Sequence, residues 1–300
     1  MSTPAATASA AAPQGRRRAR EAALRITLLC APALVLLIVF FAFPLIGNAL
    51  RSLGLDAQAA PSQTSPWSNY EKLFVDPYYR GVIVETIKVS FIATLLCIAL
   101  GYPIAHFMVR RAGRLAMPML FLLIAPLLTS IIMRTFGWRV LFARHGPFND
   151  LLMWLHLIER PLRVLGGPLG VYIGIVHVMV PFMVLSIVPV LRGVDRRLEE
   201  SARILGAGAA RTFLLVTLPL AMEGILTGCV LVFMLTSGSF VTQLLLGDGS
   251  VVTLPLLIFQ QFSLTQDLGF ASAMGNLLLV IVLACLYVQL RVAGRKGDAR

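Results

Sequence analysis

Charge is what this sequence has least of. Only 13% of its 300 residues are Asp, Glu, Lys or Arg, against 58% hydrophobic ones, where a soluble domain carries roughly 25% charge. With a mean hydropathy of +0.83 the chain could not keep a water-facing surface wet, which excludes a soluble fold; over most of its length the solvent is lipid. Cysteine is sparse too. Cys30, Cys97, Cys229 and Cys285 each sit inside an apolar run with no second Cys or His at ligand spacing, which argues against disulfide or metal roles and for buried small hydrophobes. His106, His145, His156 and His177 show no metal spacing such as His-Glu-x-x-His, so no metal or other cofactor is expected. There is also no Gly-x4-Gly-Lys-[Ser/Thr] phosphate loop, no Ser-His-Asp set and no Cys-His pair. The chain is expected not to be an enzyme, and any ATP must be used by another polypeptide.

What is present is a series of long apolar runs bracketed by charge. The brackets fall at Arg25 and Arg51, Lys88 and Arg110, Arg114 and Arg134, Arg163 and Arg192, and Asp267 and Arg291. A further run, from about Leu218 to Leu246, holds one charge, Glu223. Each is long enough to supply the ~20 residues that cross ~30 Å of hydrocarbon, and unpaired backbone is not tolerated in lipid, so each must be helical. The expected fold is an all-α membrane protein with six transmembrane helices, the second starting as early as Tyr79. The first run, from Ile26 to Leu50, exceeds the ~7–15 residues of a signal-peptide core and is expected to be retained.

Basic residues outnumber acidic ones, 26 to 14, for a net charge of +12. Their placement sets orientation, because Lys and Arg gather in cytoplasmic segments. Alternate segments carry Arg16, Arg17, Arg18, Arg20 and Arg25; Arg110, Arg111 and Arg114; Arg192, Arg196, Arg197, Arg203 and Arg211; and Arg291, Arg295, Lys296 and Arg300. Both termini are therefore expected in the cytoplasm. Topology accounts for the basic excess, and nucleic acid is not an expected partner. The organisation read from this is a disordered cytoplasmic N-terminus over residues 1–22, a six-helix membrane domain over 23–292 with a cytoplasmic loop at 192–217, and a cytoplasmic tail over 293–300. On the outer side, residues 52–80 are rich in turn formers, and the spacing around 149–158 predicts a short interfacial helix.

The 192–217 loop is the most informative segment. Asp195 can cap a helix whose first turn holds Glu199 and Glu200, favourable at the positive helix end. Leu198, Ala202, Leu205 and Ala209 fall on one apolar stripe, opposite Arg196, Glu200 and Arg203. Gly206 and Gly208 each cost about 1 kcal/mol inside a helix, so the helix should end or bend there, and Pro219 then opens the next span. A two-faced helix of this kind either lies on lipid headgroups or docks a partner.

Counted from Glu200, Ser201 and Ala202 follow directly, Gly206 stands six positions on, and Val216, Leu218 and Pro219 stand at sixteen, eighteen and nineteen. This resembles the EAA loop, Glu-Ala-Ala-x3-Gly-x9-Ile-x-Leu-Pro, of bacterial ABC importer permeases, with Ser201 for the first Ala and Val216 for the Ile. The stretches NYEKLFVDPYYRGVIVETIKVSFIATLLCIALGYPIAHFMVRRAGR, RTFGWRVLFARHGPFNDLL, VPFMVLSIVPVLRGVDRRLEESARILGA, GSFVTQLLLG and LPLLIFQQF are similar to the spermidine/putrescine-type permeases. Two positions depart from that group: Glu223 precedes Gly224-Ile225 where Pro is frequent, and Gln243 replaces a frequent Pro.

The resemblance implies a type I ABC importer (MetI-like) permease fold in the bacterial inner membrane. It implies two cytoplasmic ATP-binding subunits, a second permease subunit, related or identical, and a periplasmic or lipid-anchored solute-binding protein. Its transport activity would be translocation of a small organic solute, a polyamine such as spermidine or putrescine, by alternating access. The coupling residues it points to are Glu200, Ser201, Ala202, Arg203, Leu205, Gly206, Leu218 and Pro219. Glu200 would face a basic or amide group on the ATPase, Ala202 and Leu205 would fill its groove, and Gly206 would make the turn. Leu218 and Pro219 would pass motion into the next helix.

Three residues are candidates for the solute path: Glu223, Trp138 and Gln243. Glu223 is the only acid well inside an expected span, where a carboxylate is costly and marks a pair or a pathway; it either bridges Arg192, Arg196 or Arg211 or lines the exit of a cationic solute. Trp138, within Arg134 to Arg139, either anchors a loop helix or lines the outer mouth and docks the binding protein. The pairs Gly170-x3-Gly174 and Gly224-x3-Gly228 have the spacing that lets helices approach closely. The alternative to an importer subunit is a self-sufficient secondary transporter or channel driven by an ion gradient. It should show ionisable residues at mid-span in several helices and symmetry between halves, and neither is evident.

Overall fold

The computed structural model describes Thr27, residues 30–55 and residues 66–297. The N-terminal segment expected to be disordered (1–22), residues 56–65 of the turn-rich outer segment and tail residues 298–300 lie outside the described residues. Every regular element among those described is helical: α1 (Cys30–Ser52), α2 (Ser68–Val75), α3 (Pro77–Arg110), α4 (Ala116–Ile124), α5 (Ile131–Leu141), α6 (Pro147–Trp154), α7 (Pro168–Gly193), α8 (Arg196–Ile204), α9 (Ala209–Ser237), α10 (Val241–Leu246), α11 (Leu254–Gln260) and α12 (Leu268–Gly297). Helices α1, α3, α7, α9 and α12 are long and apolar enough to cross a bilayer, and a bent pair, counted as one span, makes six among the described residues. The short helix expected near 149–158 is present as α6, but it starts two residues earlier and ends at Trp154.

Local sequence sets where these helices start. Pro77, Pro147 and Pro168 each occupy a first helical position, where the missing N–H costs nothing and φ is already helical. Asp76 caps α3, its Oδ1 accepting the Tyr78 N–H at 2.9 Å. Helices α1 and α9 widen into π turns at Ile38–Ala42 and Phe213–Thr217, just before Pro44 and Pro219. A proline removes one helical bond and crowds the carbonyl four residues back; the extra residue in a π turn lets the helix continue past it. For this reason the fifth crossing begins at Ala209, inside the loop, and not at Leu218 as Pro219 led us to expect. It ends at Ser237, where Gly238 forms the C-cap, so the stretch to Leu246 is a separate short helix, α10.

The third crossing differs most from expectation. In place of one straight helix between Arg114 and Arg134, the segments Gly113–Leu128 and Ile131–Leu141 meet at 99°. Pro126 breaks the ladder, and α4 runs into a tight 3-10 turn at Ala125–Leu128. The carbonyls freed there are taken up by Arg134, whose Nη2 donates to Pro126 O and, at 2.8 Å, to Thr129 O. The arginine read as a span boundary is thus the group that satisfies a bend inside the apolar region.

Helices α3, α7 and α9 pack as the central bundle, with Ala93 and Cys97, Met183, Ile187 and Leu191, and Ala221 and Val232 buried between them. Lipid tails are as apolar as these side chains, so cohesion comes from close approach and hydrogen bonds. The glycine pairs serve that approach. A Cβ on Gly224 would lie 2.9 Å from Ser186 O, and one on Gly228 2.6 Å from Met183 Sδ, while one on Gly174 would lie 2.7 Å from Leu246 Cδ1. Ser237 Oγ donates to Ser90 Oγ at 3.0 Å across the bundle. A second cluster joins Leu73 of α2, Val82 of α3, Leu254 and Leu257 of α11, and Phe270 and Met274 of α12. Thr86 Oγ1 links the two, accepting the Leu254 N–H at 2.8 Å. Helix α1 lies on α12 through Asn48 Nδ2, which donates to Asn276 Oδ1 at 2.8 Å. Cys97 is buried and Cys229 and Cys285 are half-buried, but Cys30, expected to be buried, is exposed on a half of α1 that faces outward from the bundle.

Candidate functional site

One face of the bundle gathers the C-terminal end of α3, the α7–α8 junction, α8 and the first turns of α9. Helix α8 is fixed at both ends. Asp195 Oδ1 accepts the Arg197 N–H at 2.9 Å, which caps one of the free donors of the first turn. At the other end the helix stops at Ile204 and Gly206 takes φ 88°, as its two glycines led us to expect. The Gly206 N–H donates to Arg203 O and the Ala207 N–H to Ala202 O, both at 3.0 Å, the bond pair of a Schellman cap that only a residue tolerant of the left-handed region completes easily.

The inner side of α8 is held by an ion pair that the loop pattern did not single out. Arg110 Nη2, at the end of α3, lies 2.8 Å from Glu199 Oε1, and the two side chains are only 9% and 13% exposed. Thr217 Oγ1, in the π turn of α9, donates to the same carboxylate oxygen at 3.2 Å. Arg110 also donates through both Nη1 and Nη2 to Val194 O, each at 3.2 Å. Arg196 turns back to α3, its Nη2 donating to Arg110 O at 2.9 Å and Val109 O at 3.2 Å; these are last-turn carbonyls with no partner inside their own helix. Tyr102 and His106 stand on the same face of α3 as Arg110, their rings stacked at 6.2 Å, and Tyr102 meets Phe213 of α9 edge-on at 5.4 Å.

The outer side of α8 is free. Ile204 and Leu205 are 85% and 87% exposed, and Glu200, Ser201 and Arg203 are exposed beside them, with Ala202 half-buried. The structure thus brings Glu200 to Gly206 together on one capped helix end. Leu218 is half-buried and Pro219 exposed in the continuous helix that follows. Ile204 and Glu199 were missed by the stripe reading, which placed Leu198 and Ala209 in the apolar face; both are exposed.

Glu223 does not form the ion pair expected with Arg192, Arg196 or Arg211. Among the described residues its side chain has no ion-pair partner, and it is exposed on α9. The stripe of α9 that packs on the bundle runs through Ala221, Gly224, Ile225 and Gly228, and Glu223 falls outside it. Trp138 and Gln243 lie toward the opposite end, on α5 and α10, which pack together. Trp138 stacks on Phe142 at 5.1 Å and meets the His177 ring edge-on at 5.2 Å. Gln243 is 1% exposed, and among the described residues neither its Nε2 nor its Oε1 has a hydrogen-bond partner. A buried amide without partners is costly and marks the position in α10 where the frequent Pro is absent. An apolar cavity of about 560 Å³ opens between α3, α4 and α7, with Leu100, Ile104, Met119, Val176 and His177 on its walls. A second, polar one of about 260 Å³ has Arg139, Arg144 and Arg163 on its walls together with Asp248.

Comparison with known proteins agrees with this architecture. The family described as "Binding-protein-dependent transport system inner membrane component" matches residues 3–296. The spermidine/putrescine transport system permease protein PotB of Escherichia coli is 34% identical over 225 residues, 75% of this chain and 82% of its own. The protein of the same name from Haemophilus influenzae is 34% identical over 223 residues, 74% of this chain and 78% of its own. The molybdenum transport system permease protein ModB of Mycobacterium tuberculosis is 28% identical over 254 residues, 84% of this chain and 88% of its own. Among solved structures, a bacterial ABC transporter involved in the import of the acidic polysaccharide alginate superposes with a TM-score of 0.73 at 18% identity, covering 92% of this chain and 99% of that one. The MetNI methionine ABC transporter in its inward-facing form gives 0.51 at 17% identity, covering 75% and 98%; likenesses at this identity carry the fold alone. The chain belongs to the binding-protein-dependent transport system inner membrane components, the permease subunits of ABC importers, and is close to their polyamine type.

Proposed function

We propose that the protein is the permease subunit of an ATP-driven importer that carries a polyamine such as spermidine or putrescine across the inner membrane by alternating access. Helix α8 and the arginine-rich face are cytoplasmic, and both termini lie on that side. Two ATP-binding subunits dock on α8 and its counterpart in a second permease subunit, related or identical, and a periplasmic or lipid-anchored binding protein delivers the solute. The observation that carries this reading is the free end of α8, a short helix capped at both ends that holds two large aliphatic side chains, Ile204 and Leu205, almost wholly out of contact with its own chain. A rigid helix with an uncovered apolar tip is built to enter a groove on another protein. Glu200, Ser201, Ala202 and Arg203 border that tip, Gly206 sets its exit angle, and Leu218 and Pro219 carry its displacement into α9.

The identity to permeases named for spermidine and putrescine transport over three quarters of the chain supports a cationic solute. Glu223, exposed and free of an ion pair among the described residues, then lines the cytoplasmic part of the path, with Trp138 and Gln243 toward the outer part. The 260 Å³ cavity with Arg139, Arg144 and Arg163 sits beside that outer part. The test is purification of the tagged chain from its native host in mild detergent, alongside Glu200→Lys and Gly206→Trp. An ATPase subunit should accompany the wild type and be lost from both variants. A wild-type chain that comes down alone and still transports would refute the importer reading.

A further inference from the structure

The arrangement around Glu199 addresses a mechanical difficulty in that reading, on which this inference rests. Helix α8 is joined to α7 by only Val194 and Asp195, but to α9 by Leu205 to Gly208, a linker that contains Gly206 in the left-handed region. A push on the Ile204–Leu205 tip could be absorbed in that linker. Helix α3, which supplies a large share of the buried core, has no direct linker to α8, since α4 to α7 intervene in the chain.

We propose that Arg110, Glu199 and Thr217 form a clasp that makes α8, α3 and α9 move as one body, so that ATPase-driven displacement of α8 reaches the whole bundle. One carboxylate oxygen takes both the Arg110 guanidinium, 2.8 Å away at the last turn of α3, and the Thr217 hydroxyl, 3.2 Å away in α9. The same guanidinium grips Val194 O at the α7–α8 junction, and Arg196 fastens the first turn of α8 to Val109 O and Arg110 O. Four helical segments therefore converge on one ion pair. Its low exposure matters, because a pair shielded from water is stiff and poorly screened by salt. Thr217 is the last residue of the π turn that carries α9 past Pro219, and π turns are frequent at functional sites. The clasp ties α9 to α8 at that turn. Arg110, Glu199 and Thr217 are positioning residues and touch no solute.

The test reconstitutes the whole importer in vesicles and measures spermidine uptake per ATP hydrolysed. The variants are Glu199→Gln, Arg110→Gln, Thr217→Val and the exchanged pair Arg110→Glu with Glu199→Arg. Each single charge variant should keep its ATPase subunit and keep hydrolysing ATP while uptake per ATP falls by about tenfold. Thr217→Val should lower it by about two- to threefold, and the exchanged pair should recover part of the loss. Unchanged uptake per ATP in both charge variants and Thr217→Val overturns the clasp. Loss of the ATPase subunit from Glu199→Gln also overturns it, since Glu199 would then belong to the docking surface. Should the charge variants fail to assemble, Thr217→Val with unchanged uptake per ATP overturns it alone. A wild-type assembly whose uptake proceeds without ATP removes the importer reading and the clasp with it, an outcome distinct from a coupled wild type with unaffected variants.

Discussion

The crossing of α7 and α9 offers a test in which two chemically identical substitutions should behave differently. Gly224 and Gly228 both face α7, one turn apart. At Gly224 an added Cβ would meet Ser186 O at 2.9 Å, Ile187 Cα at 3.0 Å and Val190 Cβ at 3.1 Å. Carbon pairs rest at about 3.5–4.0 Å, so α7 would have to retreat by about half an ångström, and the first two obstacles are backbone. Overpacking of this kind costs about 1–3 kcal/mol, and the helix-propensity gain of Gly→Ala returns about 1 kcal/mol. Gly224→Ala should therefore destabilise by up to about 2 kcal/mol. At Gly228 the closest atom is Met183 Sδ at 2.6 Å, with Ser186 Cβ at 3.3 Å and α7 backbone no nearer than 3.6 Å. A thioether on three rotatable bonds can swing aside, so Gly228→Ala should be neutral within about 1 kcal/mol. Thermal and denaturant unfolding of the purified variants in one detergent, read by intrinsic fluorescence, compares the two directly. Equal losses, or a larger loss for Gly228→Ala, would refute the assignment of backbone contact to the first position and side-chain contact to the second.

Other substitutions probe the remaining joints. Arg134→Leu strips Thr129 O of its donor at the 99° bend and leaves Pro126 O to the Thr129 hydroxyl and N–H; it should cost about 1–3 kcal/mol, visible as a lower melting temperature, and an unchanged melt would mean that the bend is held by something else. Thr86→Val strips the buried Leu254 N–H of its acceptor and should destabilise by a similar ~1–3 kcal/mol, whereas Thr86→Ser, which keeps the hydroxyl, should recover most of it in the same unfolding assay. Leu205→Asp puts a charge on the exposed tip of α8 and should leave the melt of the isolated permease unchanged while weakening ATPase capture by about 10- to 100-fold. Normal capture by that variant would move the docking surface elsewhere.

The crossings were legible because lipid admits few alternatives: an uncharged run of sufficient length must be a helix, and charge marks its ends. That logic failed at Arg134, which looks like a terminus but turns inward to satisfy a bend. Pro126, eight residues earlier, was the available signal. It failed again at the fifth crossing, because a proline reads as a start and the π turn that carries a helix past one leaves no periodic trace. In the 192–217 loop, the Asp195 cap and the helix end at Gly206 could be read from short-range rules, whereas the exposure of Leu205 could not. Glu199 and Glu200 are adjacent and of one kind, and the pattern favours Glu200, but the carboxylate that is held inside is Glu199. Its partner, Arg110, lies on another helix, and nothing local in either segment encodes that contact. Gln243 was legible as an oddity of position, but its burial without hydrogen-bond partners emerges only when α10 is packed against α5 and α7.

Transport by this chain is proposed to be driven by ATP on other subunits, with the solute delivered by a binding protein. This is tested most directly by labelled spermidine uptake into vesicles that hold the purified permease assembly, with ATP, ATPase subunits and binding protein each added or withheld. Uptake that requires all three together is the predicted result. Uptake by the permease alone, following an imposed proton or sodium gradient and indifferent to ATP, would contradict it and make the chain a self-sufficient secondary transporter.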